Sequence, residues 1–185
     1  MLSISRYDAN KIEIELGNTN LKNLGSDLIE NFSCGLGSEH NLEFNYHLKP
    51  EEHSLVDVRL LRHVLENILS NAIKYSAPDS TITLDISKDE EHLLFQVRDE
   101  GIGIPLQDQE KLFEAFHRAS NVGDIPGTGL GLSIVKRYVE FQGGTIQVTS
   151  MPGEGTTMVI KLPLNPAPII QIAQGETDRL SWVSR

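Results

Sequence analysis

Cysteine is almost absent from this chain, which has only Cys34 among its 185 residues. A single cysteine cannot close an internal disulfide and fits a reducing compartment, so we expect Cys34 to be a small buried apolar residue without a redox role. No stretch approaches the roughly 20 consecutive apolar residues of a membrane-spanning helix, and neither a signal peptide nor an internal repeat is visible. A cytoplasmic location is expected, and an inner-membrane anchor of a longer protein would lie in segments outside this chain.

Basic residues are also few. The chain has 16 Lys and Arg against 26 Asp and Glu, which gives a net charge of −10. This balance argues against a nucleic-acid partner, so any site for phosphate must be a local positive pocket. The length and the apolar fraction of 39% fit one globular domain with a sizeable core.

Two glycine clusters indicate a nucleotide site. The first is Asp-Glu-Gly-Ile-Gly-Ile-Pro at 99–105, and the second is Gly-Thr-Gly-Leu-Gly-Leu at 127–132. Glycine lets the main chain approach a ligand closely, and the second cluster runs into a helical pattern whose first amides suit phosphate oxygens. This cluster lacks the Gly-Lys-Ser/Thr ending of a P-loop and does not follow a strand within a βαβ unit. The alternative is that these glycines only form turns.

A helix predicted over 57–75 carries a second set of polar residues. Its buried stripe follows helical spacing and comprises Leu61, Val64, Leu65, Ile68, Leu69 and Ala72. Asn67, Asn71 and Lys74 share another face of the same helix. An asparagine carbonyl is a hard ligand that suits magnesium, and a lysine adds positive charge near phosphates. The alternative is an ordinary solvated helix face.

At four places the chain resembles the signature boxes of sensor histidine kinases. Asn-Ile-Leu-Ser-Asn-Ala-Ile-Lys-Tyr-Ser at 67–76 resembles the N box, and the cluster at 99–105 resembles the G1 box. Phe-Glu-Ala-Phe-His-Arg at 113–118 resembles the F box, and the cluster from 127 onward resembles the G2 box. All four occur in the family's order, and the resemblance covers about 41–164. Such a set rarely arises by chance.

The resemblance implies an α+β fold, the Bergerat ATP-binding sandwich shared with gyrase, the heat-shock chaperone and the MutL repair ATPases. In that fold, helices pack on one face of a mixed, mostly antiparallel sheet of about five strands. The alternation of apolar residues agrees with it. Strands are predicted around 42–48, 82–86, 95–97, 146–148 and 158–162, and helices over 20–34, 57–75, 107–113 and 130–141.

The resemblance places an adenine base at the first glycine cluster. Asp99 would accept the adenine amino hydrogen and favour adenine over guanine, because a carboxylate that finds no donor in a dry pocket is penalised. Tyr75 would lie along the ring, while Gly101 and Gly103 would let the chain pass close to it. Thr156, or the threonine that follows it, resembles the last box near the base.

The resemblance places magnesium and the triphosphate between the N box and the second cluster. Asn71 corresponds to the family's magnesium-ligating asparagine. Asn67, also assigned to the metal, stands where ATP-hydrolysing relatives carry a glutamate base. Asn67, Lys74 and Arg118 are the predicted catalytic residues, with Arg118 at the γ-phosphate. The remaining predicted nucleotide contacts are Ile104, Phe116, Gly127, Thr128, Gly129, Leu130, Gly131 and Leu132.

Three departures from a complete kinase are visible. None of the six histidines fits a phosphoacceptor on a dimerising helix. Residues 1–18 resemble the end of that helix with its linker, so 19–164 would form the catalytic domain and 165–185 a tail or linker. Gln142 stands where the family often has histidine, so a polar contact is expected to be lost.

The segment 119–126 is predicted to be an ATP lid that moves when nucleotide is absent.

The function implied by the resemblance is that of the ATP-binding catalytic domain of a sensor histidine kinase. It would pass the γ-phosphoryl group of ATP to a histidine on a dimerisation domain absent from this chain, and thence to a response-regulator receiver domain. The full-length protein is expected to be a homodimer and this piece alone a monomer. Two alternatives stay open, namely a nucleotide-binding regulatory or docking module without phosphotransfer, and a protein-serine kinase of the anti-sigma-factor type.

Overall fold

Seven strands and four helices make up the computed structural model, which describes residues 13–35, 37–123 and 125–166. The strands are β1 (Gly17–Asn20), β2 (Asn41–Tyr46), β3 (His53–Val56), β4 (Thr81–Lys88), β5 (His92–Asp99), β6 (Thr145–Met151) and β7 (Gly155–Pro163). The helices are α1 (Leu21–Ser33), α2 (Val58–Tyr75), α3 (Leu106–Gln109) and α4 (Gly131–Phe141). No helix within these described ranges is long and apolar enough to cross a bilayer.

Five of the strands form one mixed sheet in the order β2-β4-β5-β7-β6. Strand β2 runs parallel to β4, and the other three neighbouring pairs are antiparallel. The register aligns apolar residues across the sheet, so that Leu84 faces Val97, Val97 faces Met158 and Met158 faces Val148. This row points to the core, since side chains on a strand alternate between the two faces. The predicted mixed, mostly antiparallel sheet of five strands is confirmed.

Helices α1, α2 and α4 cover the apolar face of the sheet. The predicted stripe of α2 is buried along its whole length, and Leu61, Leu65 and Leu69 expose no surface. The opposite face of the sheet carries polar residues such as Asp85, Gln96 and Arg98. The arrangement is therefore the predicted α+β sandwich, with helices on one side only.

A small second sheet was not predicted. Strands β1 and β3 pair antiparallel, from Gly17 opposite Val56 to Asn20 opposite His53. The sequence of β1, Gly-Asn-Thr-Asn, has no apolar alternation from which a strand could be inferred. The predicted domain boundary at residue 19 falls inside β1. The predicted end of the dimerisation helix lies mostly at residues 1–12, outside the described residues, and most of the predicted tail, from residue 167 onward, does so as well.

Two further predictions are wrong. The helix predicted over 107–113 ends at Gln109, because the next amides bond to carbonyls three residues earlier, as in Lys111 to Asp108 and Leu112 to Gln109. Such bonds make tight turns rather than an α-helix. Cys34 was expected to be buried, but it follows the last residue of α1 and is exposed.

Asp57 joins several elements at the start of α2. This fully buried carboxylate caps the helix by accepting hydrogen bonds from the amides of Arg59 and Leu60 at 3.0 and 3.3 Å. It also accepts from the Glu15 amide at 2.8 Å and from the Arg59 guanidinium. Burial alone would raise the pKa of Asp57, but the bonds from the Arg59 side chain and from the Glu15 and Leu60 amides lower it below the ordinary value.

Gln142 connects this cap to the end of α4. Its side-chain oxygen accepts the Asp57 amide at 3.2 Å, and its side-chain nitrogen donates to the Tyr138 carbonyl at 3.3 Å. Only 4% of Gln142 is exposed. The expectation that glutamine loses a polar contact here is therefore wrong, because its amide bridges the start of α2 and the end of α4.

Replacing Asp57 with asparagine should lower the free energy of unfolding by about 1.5 to 3 kcal/mol at neutral pH, the range for a hydrogen bond to a charged group. Because the folded pKa is depressed, this stabilisation is complete above the ordinary value of 3.8. It should be lost as the pH falls through the folded pKa. Urea unfolding of the wild type and of Asp57→Asn across this range measures the difference.

The matched control is Asp27→Asn, because Asp27 is exposed and lies 3.8 Å from Arg62. It should change stability little at any pH. A stability loss for Asp57→Asn that stays constant down to strongly acidic pH would contradict the account of its carboxylate.

Candidate functional site

A cavity of about 370 Å³ opens between α2, the end of β5 and the segment that leads into α4. It is apolar in its depth, where Ile68, Val97 and Met158 meet, and polar at both ends. Most of the predicted site residues line it, namely Asn67, Asn71, Lys74, Tyr75, Asp99, Gly103, Ile104, Arg118, Gly127, Thr128, Gly129, Gly131, Leu132 and Thr156. The two glycine clusters and the polar face of α2 therefore meet at one site.

Asp99 closes one end of the cavity as the last residue of β5. Its Oδ1 atom accepts hydrogen bonds from the amides of Gly101 at 2.9 Å and Thr156 at 3.0 Å. Its Oδ2 atom accepts none from the described residues. Burial raises the pKa of this carboxyl, and the two amide bonds oppose the rise. One oxygen is thus held by the protein, while the other can receive a donor from a ligand.

The turn after Asp99 requires its glycines. A Cβ atom on Gly101 would lie 2.6 Å from the Tyr75 carbonyl oxygen, and one on Gly103 would lie 2.0 Å from that of Met151. Gly103 also has a φ of +66°, which glycine adopts without strain. The Ile102 amide donates to the Tyr75 carbonyl at 3.0 Å. Gly101 itself does not line the cavity, but it brings the turn against the end of α2.

The second glycine cluster lies directly on the polar face of α2. A Cβ atom on Gly127 would lie 3.0 Å from Nζ of Lys74, and one on Gly131 would lie 2.9 Å from Oδ1 of Asn67. Nζ of Lys74 also stands 4.8 Å from the centre of the Tyr75 ring. Helix α4 begins at Gly131 without a side-chain cap. Its first amides and Lys74 make this end of the cavity suitable for an anion.

The side-chain chemistry around Asn67 fits magnesium better than a metal that needs several protein ligands. Within 13–35, 37–123 and 125–166, no cluster of three His, Cys, Asp or Glu could hold a metal ion. Asn67 donates its amide hydrogen to the His63 carbonyl at 2.9 Å, which leaves its oxygen on the side of Gly131. Asn71 follows one turn later and also lines the cavity. Two carbonyl oxygens suit an ion that takes its other ligands from water and phosphate.

Besides Gly101, two predicted contacts, Phe116 and Leu130, lie outside the cavity. The Phe116 side chain is 75% exposed, and the Phe116 amide donates to the Gly129 carbonyl at 2.9 Å. Leu130 is half-buried just before α4 and does not line the cavity. Arg118 does line it, but its guanidinium donates to the carbonyls of Gly123 and Ile125. Arg118 thus ties the predicted lid together, and its contact with a γ-phosphate stays a prediction.

The hydrogen bonds that anchor the predicted lid, residues 119–126, were not predicted from the sequence. Asp108, which is 7% exposed, accepts from the Ser120 amide at 2.8 Å and from its hydroxyl at 2.7 Å. These bonds, led by the backbone amide, lower the pKa of Asp108. Nε2 of His117 lies 3.4 Å from the same carboxylate, and the Asn121 side chain donates to the Gly103 carbonyl at 2.8 Å. No local spacing connects these residues, so no sequence signal indicates the anchor.

A threonine–serine pair beside Asp99 was only partly predicted. Thr156 is 8% exposed, lines the cavity and bonds through its amide to Asp99. Thr157 pairs with Arg98 and Thr149 and points to the opposite face of the sheet. Ser150, which the sequence did not single out, shares a hydrogen bond of 2.9 Å with the Thr156 hydroxyl.

Comparisons with known proteins agree with this geometry. Residues 56–166 match the family model described as histidine kinase-, DNA gyrase B-, and HSP90-like ATPase. The sensor histidine kinase WalK of Bacillus subtilis is 35% identical over 168 residues, which cover 88% of this chain and 27% of WalK. The chain therefore spans about a quarter of the length of that relative.

Solved structures show the same fold. The mycobacterial sensor histidine kinase MprB superposes with a TM-score of 0.71 at 28% identity, covering 82% of this chain and all of that one. Full-length ShkA in complex with AMPPNP superposes with a TM-score of 0.71 at 26% identity, covering 84% of this chain and 32% of that one.

Proposed function

Because the chain belongs to the family of histidine kinase-, DNA gyrase B- and HSP90-like ATPases, we propose that its cavity binds Mg-ATP and presents the γ-phosphoryl group to a histidine of a dimerisation domain. The prediction of a sensor histidine kinase catalytic domain is confirmed at the level of the domain. Magnesium, the acceptor histidine, the dimer and the receiver domain belong to the proposal, since the chain spans only part of such a kinase.

The observation that carries the proposal is the opposite chemistry of the two ends of the cavity. At one end, Asp99 offers a carboxylate oxygen, Oδ2, that accepts no hydrogen bond within the described part of the chain. Lys74 and the uncapped start of α4 offer positive charge and amides at the other. Adenine has an amino donor and the triphosphate is an anion, so ATP matches both ends in one orientation only. The bound AMPPNP of the related ShkA supports this assignment.

Magnesium would be held by Asn71, with Asn67 one turn away on the same face of α2. When bound there, it neutralises charge on the phosphate oxygens. The net charge of the chain is −10, so Lys74 supplies the local positive charge that the triphosphate requires.

Transfer is favoured over hydrolysis by the residues beside the γ-phosphate position. Asn67 is not basic, and its amide is held by the His63 carbonyl. Glu66 does not line the cavity but a groove between α1 and α2, which Asn67 also borders. The Asn67 amide is not a base and the Glu66 carboxylate does not line the cavity, so neither residue can activate water at the γ-phosphate position. Positioning by Lys74, with Arg118 after its release from the lid carbonyls, then serves attack by an incoming imidazole.

Replacing Asp99 with asparagine should weaken ATP binding by about 1.5 to 3 kcal/mol. The asparagine oxygen can keep the amides of Gly101 and Thr156, so its NH₂ group would face the adenine amino group, donor against donor. The variant should still fold, because the substitution removes a buried charge whose desolvation costs free energy. Calorimetry with ATP and GTP, with and without magnesium, measures the effect, and the wild type should prefer ATP.

The matched control is Asp85→Asn, on the opposite face of the sheet, which should bind ATP as the wild type does. Near-wild-type affinity of Asp99→Asn would refute the role given to Asp99. A wild-type chain that binds neither nucleotide would refute the proposed function.

Replacing Asn71 with alanine should remove most of the gain in ATP affinity that magnesium provides, about tenfold for the loss of one contact to a charged ion. Affinity without magnesium should change little, because Asn71 acts through the metal. Calorimetry in magnesium and in EDTA separates the two quantities, with the exposed Asn45→Ala as control. Equal losses under both conditions would indicate structural damage instead of a metal site.

A further inference from the structure

We propose that Ser150 determines purine selectivity by fixing the direction in which the Thr156 hydroxyl points its proton. The inference rests on the proposed function, because it concerns the base end of the same cavity. Ser150 lies on β6 directly opposite Thr156 on β7. Ser150 would not contact the nucleotide and acts through Thr156, so it is a positioning residue.

Three hydrogen bonds converge on the Ser150 hydroxyl. It accepts the Ile104 amide at 2.8 Å, donates to the Gly155 carbonyl at 2.8 Å and lies 2.9 Å from the Thr156 hydroxyl. A hydroxyl has one proton and two lone pairs. The Gly155 carbonyl can only accept, so it takes the single proton of Ser150.

The direction of the third bond follows from this count. Ser150 has no second proton, so the Thr156 hydroxyl must donate to it. The Thr156 oxygen then has only lone pairs left for the cavity that it lines. The adjacent Asp99 carboxylate also presents an acceptor, because its Oδ1 holds the Thr156 amide and its Oδ2 accepts no hydrogen bond from the described residues. Both groups at the base end are therefore hydrogen-bond acceptors.

The partners of Ser150 cannot easily move to relax this arrangement. The side-chain amide of Gln109 donates to the carbonyls of Ile104 and Ser150 at 2.8 and 2.9 Å. Gly155 has a φ of +93°, and a Cβ atom there would lie 2.0 Å from the Asp99 carbonyl oxygen. The Ile104 amide and the Gly155 carbonyl thus hold the Ser150 hydroxyl directly, while Gln109 of α3 holds the backbone of Ile104 and Ser150.

An end that contains only acceptors selects the group at position 6 of a purine. The amino group of adenine donates, whereas the carbonyl of hypoxanthine or guanine would face oxygen lone pairs without a proton between them. Replacing Ser150 with alanine frees the Thr156 proton, which can then turn towards such a carbonyl. Selectivity should fall even though no residue that touches the base has changed.

The test compares ATP with inosine triphosphate, which carries a carbonyl at position 6 and no amino group at position 2. Calorimetry on the whole chain gives the ratio of the dissociation constant for inosine triphosphate to that for ATP. Ser150→Ala should lower this ratio by about fivefold, the value of one neutral hydrogen bond. Ser150→Thr keeps a hydroxyl and should keep the wild-type ratio. Thr149→Ala is the matched control on the same strand, because Thr149 is exposed on the opposite face.

A double-mutant cycle with Thr156→Val separates the inference from a general loosening of the site. In the valine background no hydroxyl remains to reorient, so Ser150→Ala should not change the ratio further. If Ser150→Ala does not fold, Thr156→Val alone tests the inference. It removes the hydroxyl that would accept the adenine amino hydrogen, so the inference requires the ratio to fall.

Two results would overturn the inference. An unchanged ratio in Ser150→Ala, with ATP still bound more tightly than inosine triphosphate, would refute the role of Ser150 and leave the proposed function standing. An equal fall of the ratio in the valine background would also refute it. Failure of the wild-type chain to bind ATP would overturn the proposed function and the inference together.

Discussion

The whole site depends on how closely two glycine segments can approach helix α2. Gly101 lies against the Tyr75 carbonyl, Gly127 against Lys74 and Gly131 against Asn67. A Cβ atom on these glycines would lie only 2.6 to 3.0 Å from the nearest atom of the helix residue. The cavity between these segments therefore has backbone and short polar groups at its ends and apolar side chains in its depth. A side chain at Gly101 would clash with the backbone of α2 and push the turn away from it. At Gly127 or Gly131 it would displace the side-chain ends of Lys74 or Asn67, two predicted site residues.

The relative position of α2 and α4 is set at the far end of both helices. Asp57 caps α2, and Gln142 joins that cap to the end of α4. The opposite ends of these helices carry Lys74 and Gly131, which line the end of the cavity proposed for the phosphates. The same cap also accepts the amide of Glu15, in the segment that enters the domain. Asp57 thus connects the entry segment with α2 through its carboxylate and with α4 through its backbone amide.

Sequence reasoning succeeded where a repeating pattern or a contiguous motif carried the information. The stripe of α2 and the alternation along β4, β5 and β7 predicted the sandwich, and the four boxes predicted most of the cavity lining. It failed where structure follows from contacts distant in sequence. The pairing of β1 with β3, the Asp108–Ser120 anchor and the bridge made by Gln142 have no local pattern. Cys34 was misplaced because composition says nothing of its position at a helix end.

The proposed function requires ATP to lie across the cavity with its base at Asp99 and its phosphates at the start of α4. A crystal structure of the chain with magnesium and a non-hydrolysable ATP analogue tests it most directly. We expect the adenine amino group on Oδ2 of Asp99, the triphosphate along Gly127–Gly131 and the magnesium on Asn71. A nucleotide bound in the reverse direction, or a metal bound away from Asn71, would contradict it.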